Sequence, residues 1–139
     1  MRILWTQARD RIHHALADSE FSDLRAEHLS VLQYPGPDGE RPAALAERTG
    51  LSRQAINHQL RGLQDAGYIE RGRSIEPGRG RRVVTLTKRG HAAIAFIEST
   101  VAALEREWAQ AIGERRFETL RAAVDELVAA VRPAQREDF

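Results

Sequence analysis

Residues 45–60 read LAERTGLSRQAINHQL, which spells two helices joined by a tight turn. Pro42 suits the first turn of the first helix, where its missing N–H leaves no bond unmade. That helix is expected over Ala43–Thr49 and ends at Gly50, a residue free to take the left-handed conformation. Ala46 is small enough to let the two helices cross closely, and Leu51 fills the gap between them. Ser52 is the expected N-cap of the second helix, because its hydroxyl can accept from a free N–H of the first turn. This second helix should run to about Ala66, with Gly67 ending it. Ile56, Leu60 and Leu63 fall on one face and should be core. Arg53, Gln54, Asn57, His58 and Arg61 fall on another, where every side chain can hydrogen-bond and none is acidic. Arginine can grip guanine through two bonds, and Asn or Gln can grip adenine the same way. Phosphates would repel an Asp or Glu there. The plain alternative is an ordinary solvated helix face.

Downstream, residues 68–71 and 81–86 are strand-like, with β-branched Val83, Val84 and Thr85 in the second run. The nine residues between them, GRSIEPGRG (72–80), make a glycine-rich hairpin tip. Arg73, Arg79, Arg81 and Arg82 sit on or beside it, a charge suited to a narrow minor groove, although a solvated loop would look the same. Thr87 should cap a long helix over about 88–112, with apolar residues at 94, 97, 101, 104, 108 and 111. After Gly113, a last helix over about 114–131 repeats the rhythm at 117, 120, 124, 127 and 131, and 133–139 is a polar tail. Upstream, a first helix over 2–17 carries Leu4, Trp5, Ala8, Ile12, Ala15 and Leu16. Ser22 is the expected cap of a second helix over about 23–33 that buries Phe21, Leu24, Val31 and Leu32, before the loop YPGPDG (34–39). The fold expected is mainly α with a small β-hairpin wing. It divides into a dimerisation helix (1–20), a winged helix-turn-helix lobe (21–87) and C-terminal dimerisation helices with a tail (88–139). The first and last two helices carry more apolar seam than a lobe this small can bury alone. Packing against a second copy is therefore expected, with intrachain packing as the alternative.

The 139 residues suit one domain, and the net charge of +1 hides an uneven distribution. Residues 41–90 hold eleven Arg or Lys against four Asp or Glu, a net of +7, whereas the rest of the chain holds ten against sixteen, a net of −6. A basic segment between acidic flanks is the footprint of a polyanion-binding face. The chain has no cysteine, which excludes disulfides, thiolate metal sites and cysteine nucleophiles. The polar N-terminus and the lack of an 18-residue apolar run point to a soluble, cytoplasmic protein without membrane contact. The five histidines (13, 14, 28, 58 and 91) include no i, i+4 pair, so neither a metal site nor a cofactor is expected. Gly78-Arg79-Gly80 lies between strands rather than before a helix, which is the wrong setting for a phosphate loop. No catalytic constellation is legible, so an enzyme is not expected.

Three pieces, LAERTGLSRQAI (45–56), LQDAGYIER (63–71) and VTLTKRG (84–90), resemble the MarR family of transcription regulators. The order of the flanking helices extends the resemblance over nearly the whole chain. The resemblance implies a homodimer in which N- and C-terminal helices intertwine, setting two reading helices on a palindromic duplex site. Repression by blocking polymerase would then be the default action. It places Ser52, Arg53, Gln54, Asn57, His58 and Arg61 of the reading helix, and Arg73, Arg79 and Arg81 of the wing, on DNA. The family's wing usually carries an Asp two residues before its groove-entering arginine; here Gly78-Arg79-Gly80 has none, and Arg81 is the reserve for that role. The resemblance also implies a small aromatic or anionic effector held between dimer helices and DNA lobes. Trp5, His13, Phe21 and Trp108 are the residues available to line such a pocket, although residues of this kind are more often plain core or interface. The runner-up is a winged-helix module that binds protein without binding DNA.

Overall fold

A computed structural model describes residues 2–36, 38–73 and 82–131. In chain order these form α1 (Arg2–Ala17), α2 (Ala26–Leu32), α3 (Pro42–Thr49), α4 (Arg53–Asp65), β1 (Ile69–Arg73), β2 (Arg82–Leu86), α5 (Lys88–Ile112) and α6 (Glu114–Val131). Residues 74–80 of the expected hairpin tip, with Arg79, together with Arg81 and the expected polar tail, lie outside the described residues.

The α3–turn–α4 unit forms for the local reasons its sequence carries. Pro42 opens α3, and Gly50 leaves it at φ +70°. The Thr49 hydroxyl donates to the Leu45 carbonyl at 2.7 Å, tying down the last turn. Ser52 Oγ accepts from the Ala55 N–H at 3.1 Å, an N-cap bond that satisfies one of the first-turn donors. Ile56, Leu60 and Leu63 of α4 are buried beside Leu45 and Ala46 of α3 and Val31 and Leu32 of α2. Tyr68, Ile69, Val84 and Ala93 complete this core, with Leu51 packed against its edge.

β1 and β2 pair antiparallel, with Ile69 opposite Leu86 and Arg73 opposite Arg82. The pairing carries β1 two residues beyond the run expected from sequence, because Gly72 and Arg73 find partners in Val83 and Arg82. Glu40 adds a short third edge: its N–H donates to the Val84 carbonyl at 2.9 Å and its carbonyl accepts from the Val84 N–H at 2.7 Å. Gly39 makes this approach possible at φ +83°, where a β-carbon would lie 2.9 Å from Thr85 Cγ2.

The second helix departs from the sequence expectation. α2 starts at Ala26, and its N-cap is Arg25 rather than Ser22. Residues 21–23 form a turn closed by the Leu24 N–H donating to the Phe21 carbonyl at 3.0 Å. The cause is tertiary. The Asp23 carboxylate accepts from the Tyr68 hydroxyl and from Arg89 Nη2 (3.3 Å), and Arg89 Nη2 also donates to the Glu20 carbonyl at 3.2 Å. These bonds hold residues 20–23 against the start of α5, and the helix begins only beyond them. Phe21, Leu24, Val31 and Leu32 are buried as their apolar character requires.

Thr87 caps α5 and locks it to the end of α4. Its Oγ1 accepts from the Gly90 N–H at 3.0 Å and donates to the Gly67 carbonyl at 2.6 Å. The chain divides into two compact units, Met1–Val101 and Ala102–Phe139. The first contains the core above. Within the second, Leu104, Ala109 and Phe117 are buried, and Arg121 of α6 pairs with Glu105 of α5 at 3.6 Å.

Candidate nucleic-acid interface

The amphipathic character of α4 is sharp. Its buried stripe, Ile56, Leu60 and Leu63, is at most 1% exposed. Ser52, Arg53, Gln54, Asn57, His58 and Arg61 are all exposed. A 3.6-residue repeat puts the two sets on different faces, so burying the first presents the second to solvent. The side chains of that surface donate and accept hydrogen bonds and carry positive charge, and no carboxylate interrupts them.

The hairpin base adds to this face. Arg71 of β1 reaches α4, where its Nη2 donates to Asn57 Oδ1 at 3.2 Å. Pro42, Asn57, Arg71, Gly72, Arg82, Val83 and Val84 line an open cavity of about 310 Å³. Partial burial, together with the like charges of Arg61 and Arg82, pushes the Arg71 guanidinium below its ordinary pKa. Positive charge is crowded here, a condition that favours an anion.

Sequence reasoning passed over Arg71. The signal was present: side chains alternate along a strand, so Arg71 shares a face with Ile69, and buried Ile69 identifies that face as the one turned toward the lobe. Of the expected wing residues, Arg73 has its backbone in β1, while Arg79 and Arg81 lie outside the described residues.

The four candidate effector residues have different surroundings. Phe21 is 4% exposed, with its ring centroid 6.4 Å from that of Tyr68 and 5.7 Å from that of Phe96. Trp5 is 69% exposed on α1, and His13 is half-buried on the same helix. Trp108 is half-buried in the second unit. Phe21 is thus committed to the core of the lobe. Among the described residues, no three His, Cys, Asp or Glu side chains gather as metal ligands, and no helix is long and apolar enough to cross a membrane.

Helix, tight turn, exposed second helix and paired hairpin follow one another in the order of a winged helix-turn-helix. The model of the MarR family matches residues 36–80, which cover α3, α4 and β1 but not β2. The chain carries a winged helix-turn-helix whose residues 36–80 match the MarR family. Solved structures of this fold agree over nearly the full length. FabT of Streptococcus pneumoniae, crystallised in complex with DNA, is similar with a TM-score of 0.75 at 19% identity, covering 92% of this chain and 90% of that one. MepR, a transcription regulator of the Staphylococcus aureus multidrug efflux pump MepA, has a TM-score of 0.69 at 18% identity, covering 94% and 95%. CouR of Rhodococcus jostii RHA1, bound to p-coumaroyl-CoA, has a TM-score of 0.69 at 19% identity, covering 98% and 92%. No curated protein matches the chain. In the terms of that fold, α3 and α4 are the helix-turn-helix and β1–β2 the wing.

Proposed function

We propose that this chain is a MarR-type, sequence-specific duplex-DNA-binding transcription regulator of the cytoplasm. It acts as a homodimeric repressor on a palindromic operator and releases it when a small aromatic or anionic effector binds. One observation carries the reading: α4 buries Ile56, Leu60 and Leu63 and leaves an acid-free face of Arg53, Gln54, Asn57, His58 and Arg61 in solvent. Such a face suits base edges and phosphates together, because guanidinium and carboxamide groups match the major-groove pattern and the positive charge matches the backbone. The arginines of the hairpin add charge beside it. That FabT was crystallised with DNA and CouR with p-coumaroyl-CoA supports the DNA and effector parts of the reading. Homodimerisation is supported by exposed apolar residues on α1 (Ile3, Leu4 and Trp5) and on α6 (Leu120, Val124, Leu127 and Val131).

The test is duplex binding followed as a function of salt. Phosphate contacts release counterions, so affinity should fall by roughly a thousandfold or more between about 50 and 200 mM salt. Binding that ignores salt, or failure to retard any duplex, would instead favour a winged helix that docks protein partners.

A further inference from the structure

Free of other partners, an asparagine reads adenine with both ends of its carboxamide: Oδ1 accepts from N6 and Nδ2 donates to N7. Asn57 is not free. Its Oδ1 is held by Arg71 Nη2 at 3.2 Å. A guanidinium has donors and no acceptor, so the atom it meets is the carbonyl oxygen, and the amino group is the end left over. Asn57 is exposed, so that amino group can reach a ligand lying along α4. Guanine presents two neighbouring acceptors in the major groove, N7 and O6, whereas adenine would set its own N6 amino group against the Asn57 amino group.

We infer that Arg71 is a positioning residue that turns Asn57 into a donor-only reader, so that the base it selects in each half-site is guanine rather than adenine. This rests on the reading of α4 as the DNA-contacting helix. The placement of Arg71 is built into the hairpin: it follows buried Ile69 by two residues, and so lies on the strand face turned toward the lobe, where it lines one cavity with Asn57. Arg61 and Arg82 repel Arg71, and the carbonyl dipole of Asn57 gives its guanidinium an uncharged acceptor.

Selection of bound duplexes from a randomised library tests this, using the full chain as wild type, Asn57→Ala and Arg71→Met. The wild type should enrich guanine at one position per half-site, and Asn57→Ala should leave that position open. Arg71→Met should shift the same position toward adenine by on the order of tenfold, with the other positions unchanged. Adenine at that position in the wild-type sites overturns the inference, as does an Arg71→Met protein that binds more weakly everywhere with its preference intact. A wild type that enriches no sequence defeats the DNA reading itself, and the inference falls with it. Should Arg71→Met fail to melt cooperatively, wild type against Asn57→Ala decides, because Asn57 is a surface residue whose loss leaves the core intact.

Discussion

At position 90 the start of α5 passes so close to the end of α4 that a β-carbon would collide with the Tyr68 carbonyl oxygen and lie 3.3 Å from Leu86 Cδ2. The carbonyl cannot retreat, because it accepts from the Thr87 N–H at 3.0 Å and belongs to the residue whose ring is fully buried in the core. The same crossing is fastened by Thr87 to Gly67, by the Tyr68 hydroxyl to Asp23, and by Arg89, whose guanidinium lies 4.4 Å over the Tyr68 ring. Burial and the Asp23 carboxylate together hold the Tyr68 phenol well above its ordinary pKa, so it remains a hydrogen-bond donor throughout the physiological range. Gly90→Ala should therefore cost about 1–3 kcal/mol, the usual penalty for overpacking a site that cannot expand. Urea unfolding of the variant measures this, and a midpoint equal to the wild type's would show that the crossing has slack.

Helix boundaries show which information is local and which is not. α3 and α4 begin and end where their own residues direct, at Pro42, Gly50, Ser52 and Gly67, so the exposed helix of the candidate site was legible in sequence to within a residue or two. The start of α2 was not, because Ser22 is a good cap by type but Asp23 is claimed by Tyr68 and Arg89, 45 and 66 residues away. Arg71 was hidden for a related reason, since its bond to Asn57 joins a strand to a helix and no single-element pattern records it. The actual beginning of α2 carries a pH dependence. There the Arg25 N–H donates to His28 Nδ1 at 3.2 Å, a bond that needs the imidazole neutral. Burial lowers the His28 pKa below its ordinary 6.5; the charges of Arg25 and His58 act in the same direction, against Glu27 and Asp23. Since the folded state binds this proton less readily than the unfolded state, the neutral form's contribution is complete above about 6.5 and is lost as pH falls below it. The urea midpoint should drop between pH 7 and pH 5, and His28→Gln should flatten that drop. An identical slope in the variant would assign the acid sensitivity to other groups.

For the whole molecule, what needs explaining is apolar surface that the single chain leaves in water. On α6, Leu120, Val124, Leu127 and Val131 recur at steps of four, three and four, and each is at least 39% exposed. On α1, Ile3 and Trp5 are about seven-tenths exposed. Monomeric proteins rarely keep such stripes in solvent, and each square ångström removed from water contributes roughly 25 cal/mol. A second copy is the partner whose surface is guaranteed to match in kind, and closed twofold pairing is the commonest arrangement. It also serves the proposed function, because two α4 helices carried on one dimer can read two half-sites of a palindrome together, whereas a lone lobe reads only one. In sedimentation at micromolar concentration the wild type should run at twice the 15.6 kDa of one chain. Charging the α6 stripe with Leu120→Lys and Leu127→Lys should yield monomers that keep their helix content and lose the concentration dependence of the melting temperature. Such monomers should bind a single half-site as weakly as the wild type does and gain little from a second half-site on the same duplex. A wild type that sediments as one chain, or a doubly charged variant that still pairs, would mean that these stripes meet something other than a twin.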